Sequence, residues 1–201
     1  MALAALIMAG GKGTRMRTIT EKPLLHIGNK SIIQRVIDAL RQSRFVVRII
    51  VAVTPNTMQT AEMAITLAVE ITETAGEGYE HDMKQAIKAL GLEDVVVVSA
   101  DLPFLQPGIV DEAIMRYLAI GKPALMVAAP IELYQRYNME PSYSFELNGQ
   151  KLAPVGLNII SGRRIDEPRL EETVFMVQND DLVFNVNTQT DLETTRNRVG
   201  K

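Results

Sequence analysis

The chain contains no cysteine, and that absence removes three kinds of chemistry at once. Neither a disulfide framework, nor a thiolate metal site, nor a covalent thiol nucleophile can be built from it. Histidine is nearly as scarce, since only His26 and His81 are available as imidazoles. Positive charge is not in excess either: 21 Lys and Arg stand against 24 Asp and Glu, for a formal charge of -3. The basic stripe that polyanion binding requires is therefore missing, and nucleic acid is not an expected partner. Long apolar runs are lacking too. The opening stretch Ala2 to Met8 has no basic flank, is far too short to span a bilayer and runs directly into glycines, so it reads as a buried first strand of a cytoplasmic protein.

What remains is ordinary globular material. With 47% hydrophobic and 22% charged residues, residues 1–201 suffice to close one full-sized core and read as a single domain, without an internal repeat, low-complexity tract or linker. The oligomeric state is open at this level, a homodimer included. Short apolar runs recur at Leu3 to Met8, Val46 to Val53, Val95 to Ser99 and Leu125 to Ala129, each bounded by turn residues as buried parallel strands are. Between them lie amphipathic stretches. Ser31 can cap a helix that presents Ile32, Ile33, Val36, Ile37 and Leu40 on one face, and Met58 to Leu67, Met83 to Leu90 and Ile109 to Leu118 have similar spacing. This alternation predicts an α/β fold with a doubly wound, mostly parallel sheet and helices on both faces.

After Pro130 the pattern changes. Tyr143 to Leu147, the turn pair Asn148-Gly149 and Leu152 to Ile160 predict a C-terminal β-hairpin extension covering one end of the sheet. Val174 to Val177 and Val183 to Val186 read as further strands, and Thr188 as the cap of a closing helix from Thr190 to Val199.

The strongest local signal is Gly10-Gly11-Lys12-Gly13-Thr14-Arg15-Met16, directly after the first strand, where open α/β sheets bind ligands. Glycines let backbone N–H groups approach phosphate oxygens, and Lys12 and Arg15 add cations suited to a triphosphate. Two common phosphate loops fail on spacing. A dinucleotide fingerprint needs glycine where Met16 stands, and a Walker loop needs Ser or Thr directly after lysine, where this chain has Gly13. The competing reading is a tight turn without a ligand.

Downstream, Glu21-Lys22-Pro23-Leu24 holds a lysine beside a rigid proline, in a segment expected to fold back under the glycine loop, so that Lys22 can neutralise an α-phosphate. A lone lysine of this kind is commonly a solvated surface residue. Asp101 stands at the carboxyl end of the run Val95 to Ser99, where a hard cation bridging phosphates would be held, but a turn or helix-cap aspartate before Leu102-Pro103 fits that position equally. His26 is expected to be a partly buried structural histidine and His81 to lie in the first turn of a helix.

A motif of the form G-G-x-G-x-R-M followed by a lysine–proline pair resembles the nucleotidyltransferase superfamily. Within it, the chain is similar to the archaeal adenosylcobinamide-phosphate guanylyltransferase family along nearly its whole length. Further blocks carry the likeness: Thr54-Pro55-Asn56-Thr57, Gly76-Glu77-Gly78-Tyr79, Ser99-Ala100-Asp101-Leu102, Gly156-Leu157-Asn158 and Phe184-Asn185-Val186-Asn187-Thr188. Where family members often have glycine after the R-M pair, this chain has Arg17 and Thr18.

The resemblance implies transfer of GMP from GTP to adenosylcobinamide phosphate, with release of pyrophosphate. It further implies Mg2+ held at Asp101 and catalytic roles for Lys12, Arg15, Lys22 and Asp101. The nucleotide site would comprise Gly10, Gly11, Lys12, Gly13, Thr14 and Lys22, with Gly76, Gly78 and Tyr79 bordering the base and Gly156, Asn185 and Asn187 at the nucleotide or acceptor. Without the resemblance, the 76–79 loop would pass as a flexible connection, and Asn185 and Asn187 as ordinary strand residues. Because an anionic phosphate oxygen would attack, neither a strong base nor a covalent nucleophile is required. A molybdenum-cofactor guanylyltransferase is the competing family, but it usually has Asp-Lys where this chain has Glu21-Lys22. Sugar-phosphate nucleotidyltransferases usually carry longer acceptor regions, and a non-catalytic nucleotide sensor would have no need of Lys12, Arg15, Lys22 and Asp101 together.

Overall fold

Residues 2–16 and 20–199 are described by a computed structural model of the chain. The first strand, β1 (Leu3–Met8), is followed by the glycine loop, a 3-10 turn at Lys22–Leu24 and a small hairpin of β2 (His26–Ile27) and β3 (Lys30–Ser31). Next come α1 (Ile32–Arg41), β4 (Val46–Val53), α2 (Met58–Thr66), β5 (Glu70–Glu73), α3 (Tyr79–Ala89), β6 (Asp94–Ser99), α4 (Pro107–Ile120), β7 (Ala124–Pro130) and α5 (Ile131–Arg136). The chain closes with β8 (Phe145–Leu147), β9 (Gln150–Ser161), β10 (Glu172–Met176) and α6 (Gln189–Val199). Arg17 and Thr18, the departure from the family pattern, lie outside the described residues.

One sheet runs β10-β7-β9-β6-β1-β4-β5, with β8 paired to β9 alone. Its central strands are the apolar runs. Val95 to Val98 are wholly buried, as strands packed on both faces must be. Pairing is parallel except around β9, which lies antiparallel between β6 and β7. This corrects the expected hairpin extension: the Asn148-Gly149 turn forms, with both residues at positive φ, but its second strand is built into the middle of the sheet. Burying its alternate residues Val155, Leu157 and Ile159 in the main core drives that insertion. Val183 to Val186 is not a strand. Asp180–Val183 forms a 3-10 turn whose Asp181 N–H is capped by Asn179 Oδ1 at 2.9 Å, and among the described residues no strand pairs with those after it.

Helix ends behave as their residue types require. Ser31 Oγ accepts from the Gln34 N–H at 3.3 Å, and Thr188 Oγ1 from the Asp191 N–H at 3.1 Å, while Asp191 Oδ2 accepts in return from the Thr188 N–H at 2.7 Å. The closing helix thus begins at Gln189 with a reciprocal cap.

The two faces of the sheet are covered unequally. Helices α1, α2, α4 and α5 pack the larger core, whereas on the opposite face α3 covers β4, β1 and β6 through Met83, Ala86 and Ile87. Over β9, β7 and β10 that second face is left open as the floor of a cavity, formed by Gly156, Asn158, Ile160, Ala124 and Met126.

On the packed side, Asp111 of α4 ties down the loop between α1 and β4. Its Oδ1 accepts from Ser43 Oγ at 2.6 Å and from the Arg44 N–H at 3.0 Å, and its Oδ2 from Arg44 Nε at 2.7 Å. Burial pushes this carboxyl upward, but the Ser43 and Arg44 hydrogen bonds outweigh it and hold the group below the usual carboxylate range. A depressed folded-state value means stability that is present above the unfolded value near 4 and lost as pH falls through the folded one. Asp111→Asn should therefore lower unfolding free energy by about 1–3 kcal/mol at neutral pH. The gap to wild type should begin to narrow in urea melts below about pH 4 and shrink further as pH falls, and a gap independent of pH would refute the charge argument.

Candidate active site

The glycine loop after β1, the 75–78 loop after β5 and the turn after β6 all emerge from carboxyl ends of parallel strands. Backbone hydrogen bonds hold them together: Ala9 N–H to Ala52 O at 2.9 Å, Ala100 N–H to Met8 O at 3.2 Å and Thr74 N–H to Val53 O at 2.8 Å. Gly10 is required by close approach. A Cβ there would stand 2.4 Å from Thr54 Cγ2, while Thr54 Oγ1 donates to Gly10 O at 3.0 Å. Gly13 turns the loop at φ +60.

The second loop is held from α3. Asp82, buried near the base of that helix, accepts from the Gly76 N–H at 2.9 Å and the Glu77 N–H at 3.3 Å. Gly76 and Gly78 adopt positive φ, so side chains are disfavoured at both. A cavity of about 410 Å³ lies between this loop and the first, lined by Gly10, Gly11, Lys12, Gly76, Gly78 and Asp82. Gly13 and Thr14 do not line it.

A larger cavity, about 1190 Å³, lies over the open half of the sheet, and Arg15 reaches that one rather than the first. The glycine-loop cations are thus divided between two spaces. Lys22, Tyr79, Ser99 and Asp101 line both and mark where they meet.

At this junction Lys22 Nζ donates to Asp101 Oδ2 at 2.7 Å and to Asn187 Oδ1 at 3.2 Å. Their side chains are only 19% and 14% exposed for Lys22 and Asp101, so the pair is largely withdrawn from water. Asn187 is oriented by the α6 cap, its N–H donating to Asp191 Oδ2 at 2.9 Å. Asn185 Nδ2 donates to Val155 O at 3.1 Å. Two buried oxygens at the site, Asp101 Oδ1 and Asn185 Oδ1, have no hydrogen-bond partner among the described residues. Both are hard donors, the type that Mg2+ prefers. No cluster of three His, Asp or Glu occurs among the described residues, so a cation here would depend on few protein oxygens and on substrate phosphates.

Tyr79 departs from the simple base-lining role. The residue is 45% exposed overall, but its hydroxyl reaches the side chains of Ser99 and Asn158. Burial pushes the phenol up to about 12, with the Asp101 charge adding to the rise and the Ser99 hydrogen bond opposing it, so it remains a neutral donor at physiological pH. Gly156, at φ +86, sits in an irregularity of β9 opposite Val127, and a Cβ there would lie 2.9 Å from Ser99 Oγ. It permits β9 to close on Ser99.

His26 is exposed rather than partly buried, since it sits on the outward side of the small β2–β3 hairpin. His81 does lie in the first turn of α3. Glu21, Asp82, Ser99 and Asn158 had no role assigned from sequence. The first three act through partners distant in the chain or on another element, and Asn158, named only within a block that carries the family likeness, meets Tyr79 through tertiary closure.

The Gly10–Thr54 contact yields a compensation test. Gly10→Ala should lower Tm by several degrees and weaken triphosphate binding, because overpacking costs about 1–3 kcal/mol. Adding Thr54→Ser removes the clashing methyl and keeps the hydroxyl, so the double variant should recover most of both losses in thermal melts and titrations. Failure to recover would show that the close approach is not what requires glycine.

This geometry has counterparts among known proteins. The MobA-like NTP transferase domain matches residues 5–144. Adenosylcobinamide-phosphate guanylyltransferase of Methanocaldococcus jannaschii is 34% identical over 199 residues, covering 94% of this chain and 93% of that protein. The bifunctional protein GlmU of Gloeobacter violaceus is 30% identical over 131 residues, 64% of this chain and 29% of its own length. Among solved structures, a CMP:2-keto-3-deoxy-manno-octonic acid synthetase complexed with CTP superposes with a TM-score of 0.76 at 16% identity, covering 100% of this chain and 99% of that one, a likeness of fold alone. With a family match over residues 5–144 and 34% identity along nearly the whole chain, the protein belongs to the MobA-like NTP transferase family and is a nucleotidyltransferase.

Proposed function

We propose that the chain transfers GMP from GTP to adenosylcobinamide phosphate and releases pyrophosphate. One observation carries the transfer geometry: the small cavity beside the glycine loop and the large cavity over the open sheet meet at Lys22 and Asp101. A triphosphate in the first would bring its α-phosphorus to the junction, and a bulky acceptor in the second would bring its phosphate to the same place. The name of the Methanocaldococcus relative supports the identity of that acceptor.

In the step itself, an acceptor phosphate oxygen attacks the α-phosphorus while the bond to the α–β bridging oxygen breaks, and pyrophosphate leaves with the electron pair. A phosphate monoester is already anionic at neutral pH, which suits a site without a buried histidine. Catalysis then rests on alignment and charge stabilisation. Lys22 would exchange its contact with Asp101 for one with the α-phosphate, and Lys12 would meet the phosphates in the small cavity. Asp101 and Asn185 would hold Mg2+ through their unpartnered oxygens. Such a cation supplies charge neutralisation of the phosphates.

The 75–78 loop favours guanine on hydrogen-bonding grounds. Asp82 occupies the N–H groups of Gly76 and Glu77 and its own N–H donates to Gly78 O, which leaves the loop's other carbonyl oxygens for a base; guanine, with donors at both N1 and N2, brings more of them than adenine or cytosine with one amino group each. Incubated with each of the four nucleoside triphosphates, with and without adenosylcobinamide phosphate, the protein should release pyrophosphate only when the acceptor is present. GTP should be preferred by about tenfold or more, the value of one unpaired polar group. Equal turnover of ATP and GTP would reject the guanylyl assignment, and turnover with only another phosphorylated acceptor would reject the corrinoid one.

Lys22→Ala should lower kcat by about 100-fold while weakening GTP binding far less, because its cation counts most as charge shifts toward the leaving group. Unchanged kcat would remove Lys22 from the chemistry.

A further inference from the structure

Glu21 precedes Lys22, yet its side chain reaches the first turn of α2 rather than either cavity. Oε1 accepts from the Gln59 N–H at 2.9 Å, and Oε2 accepts from the Thr60 N–H at 2.7 Å and from Thr60 Oγ1 at 2.6 Å. These N–H groups are orphan donors of a helix start, normally met by the N-cap side chain. Here the N-cap residue Thr57 is otherwise engaged, its Oγ1 accepting from the Thr54 N–H at 3.0 Å and donating to Thr54 O at 3.3 Å. The helix is therefore capped from 38 positions away.

Neighbouring side chains consequently hold opposite walls. Glu21 fastens the segment to α2, Pro23 is buried in the following 3-10 turn, and Lys22 extends to Asp101 and Asn187. Because α2 starts just past Thr54, which touches Gly10, the anchor refers the lysine to the glycine loop as well. A carboxylate suits this place twice over, accepting several bonds at once and matching the positive end of the helix dipole.

We propose that Glu21 is a positioning residue, which sets the depth at which the Lys22 ammonium enters the junction of the two cavities by capping α2. The proposal rests on the reading of Lys22 as a phosphate contact, and it predicts coupling between two side chains that do not touch each other. Glutamine keeps the length but has one acceptor oxygen in place of two and no charge, so Glu21→Gln should leave the strap attached but loose. Its kcat should fall about tenfold, with KM for GTP changed less than about threefold, since misplacement of an ångström is felt mainly in the transition state.

A double-mutant cycle with Lys22→Ala separates positioning from plain stability. In a chain already lacking the Lys22 ammonium, Glu21→Gln should cost no further kcat, whereas an equal loss in both backgrounds would overturn the proposal. A second readout needs no turnover: acylation of Lys22 by an amine reagent, mapped by peptide mass spectrometry, in folded wild type, Glu21→Gln and Glu21→Ala. Lys22 should react about threefold faster or more in the variants, because its reach to Asp101 is no longer enforced, while exposed Lys151 reacts at the same rate in all three. An unchanged Lys22 rate would overturn the proposal. If wild type lacks transferase activity, the function assigned above fails while the labelling result still decides the position of the lysine.

Discussion

The antiparallel insertion of β9 between β6 and β7 is the constraint on which the remaining architecture depends. It alone joins the parallel pair β7 and β10 to the parallel strands β6, β1, β4 and β5. Along it, Val155, Leu157 and Ile159 enter the main core, while Gly156, Asn158 and Ile160 face the large cavity. One strand thus closes the core on one side and lays the cavity floor on the other. That division follows from the two-residue period of a β-strand and requires no separate binding element.

Charge at the site is organised as a chain of dependence. The Lys22–Asp101 pair is too withdrawn from water to be an ordinary surface bridge, and removing one partner would leave the other poorly solvated. Its geometry is therefore fixed from outside: Glu21 on α2, the Asn187 amide through the α6 cap, and the Asp101 carbonyl, which accepts from the Val186 N–H at 3.2 Å. Elements from both ends of the chain meet on one ammonium group.

Much of this was legible in local sequence. Ser31, Thr188, the Val95 to Val98 run and the glycine loop each carry their physical signal within a few residues, and each forms the element expected. Asn148-Gly149 likewise makes its turn, but a turn specifies only its own two strands, and the later pairing of β9 with β6 and β7 has no local mark. Apolar alternation at Val183 to Val186 mimicked a strand where a side-chain cap at Asn179 bends the chain into a 3-10 turn. At the site, Lys22 and Asp101 could be singled out separately. Their contact, and the Glu21 anchor behind it, depend on tertiary closure across 79 and 38 positions.

The open half-sheet also separates recognition from foldability. Met126, Asn158 and Ile160 point into the large cavity from rigid strands, while their immediate neighbours Leu125, Val127, Leu157 and Ile159 belong to the main core. Ile160 also packs against the second core cluster, but substitutions at Met126 and Asn158 can reshape the cavity surface while the main core beneath it keeps its packing. With the acceptor in the large cavity, as proposed above, a lineage built on this sheet would change the molecule it modifies by altering a few strand residues, while the glycine loop and the main core are inherited intact.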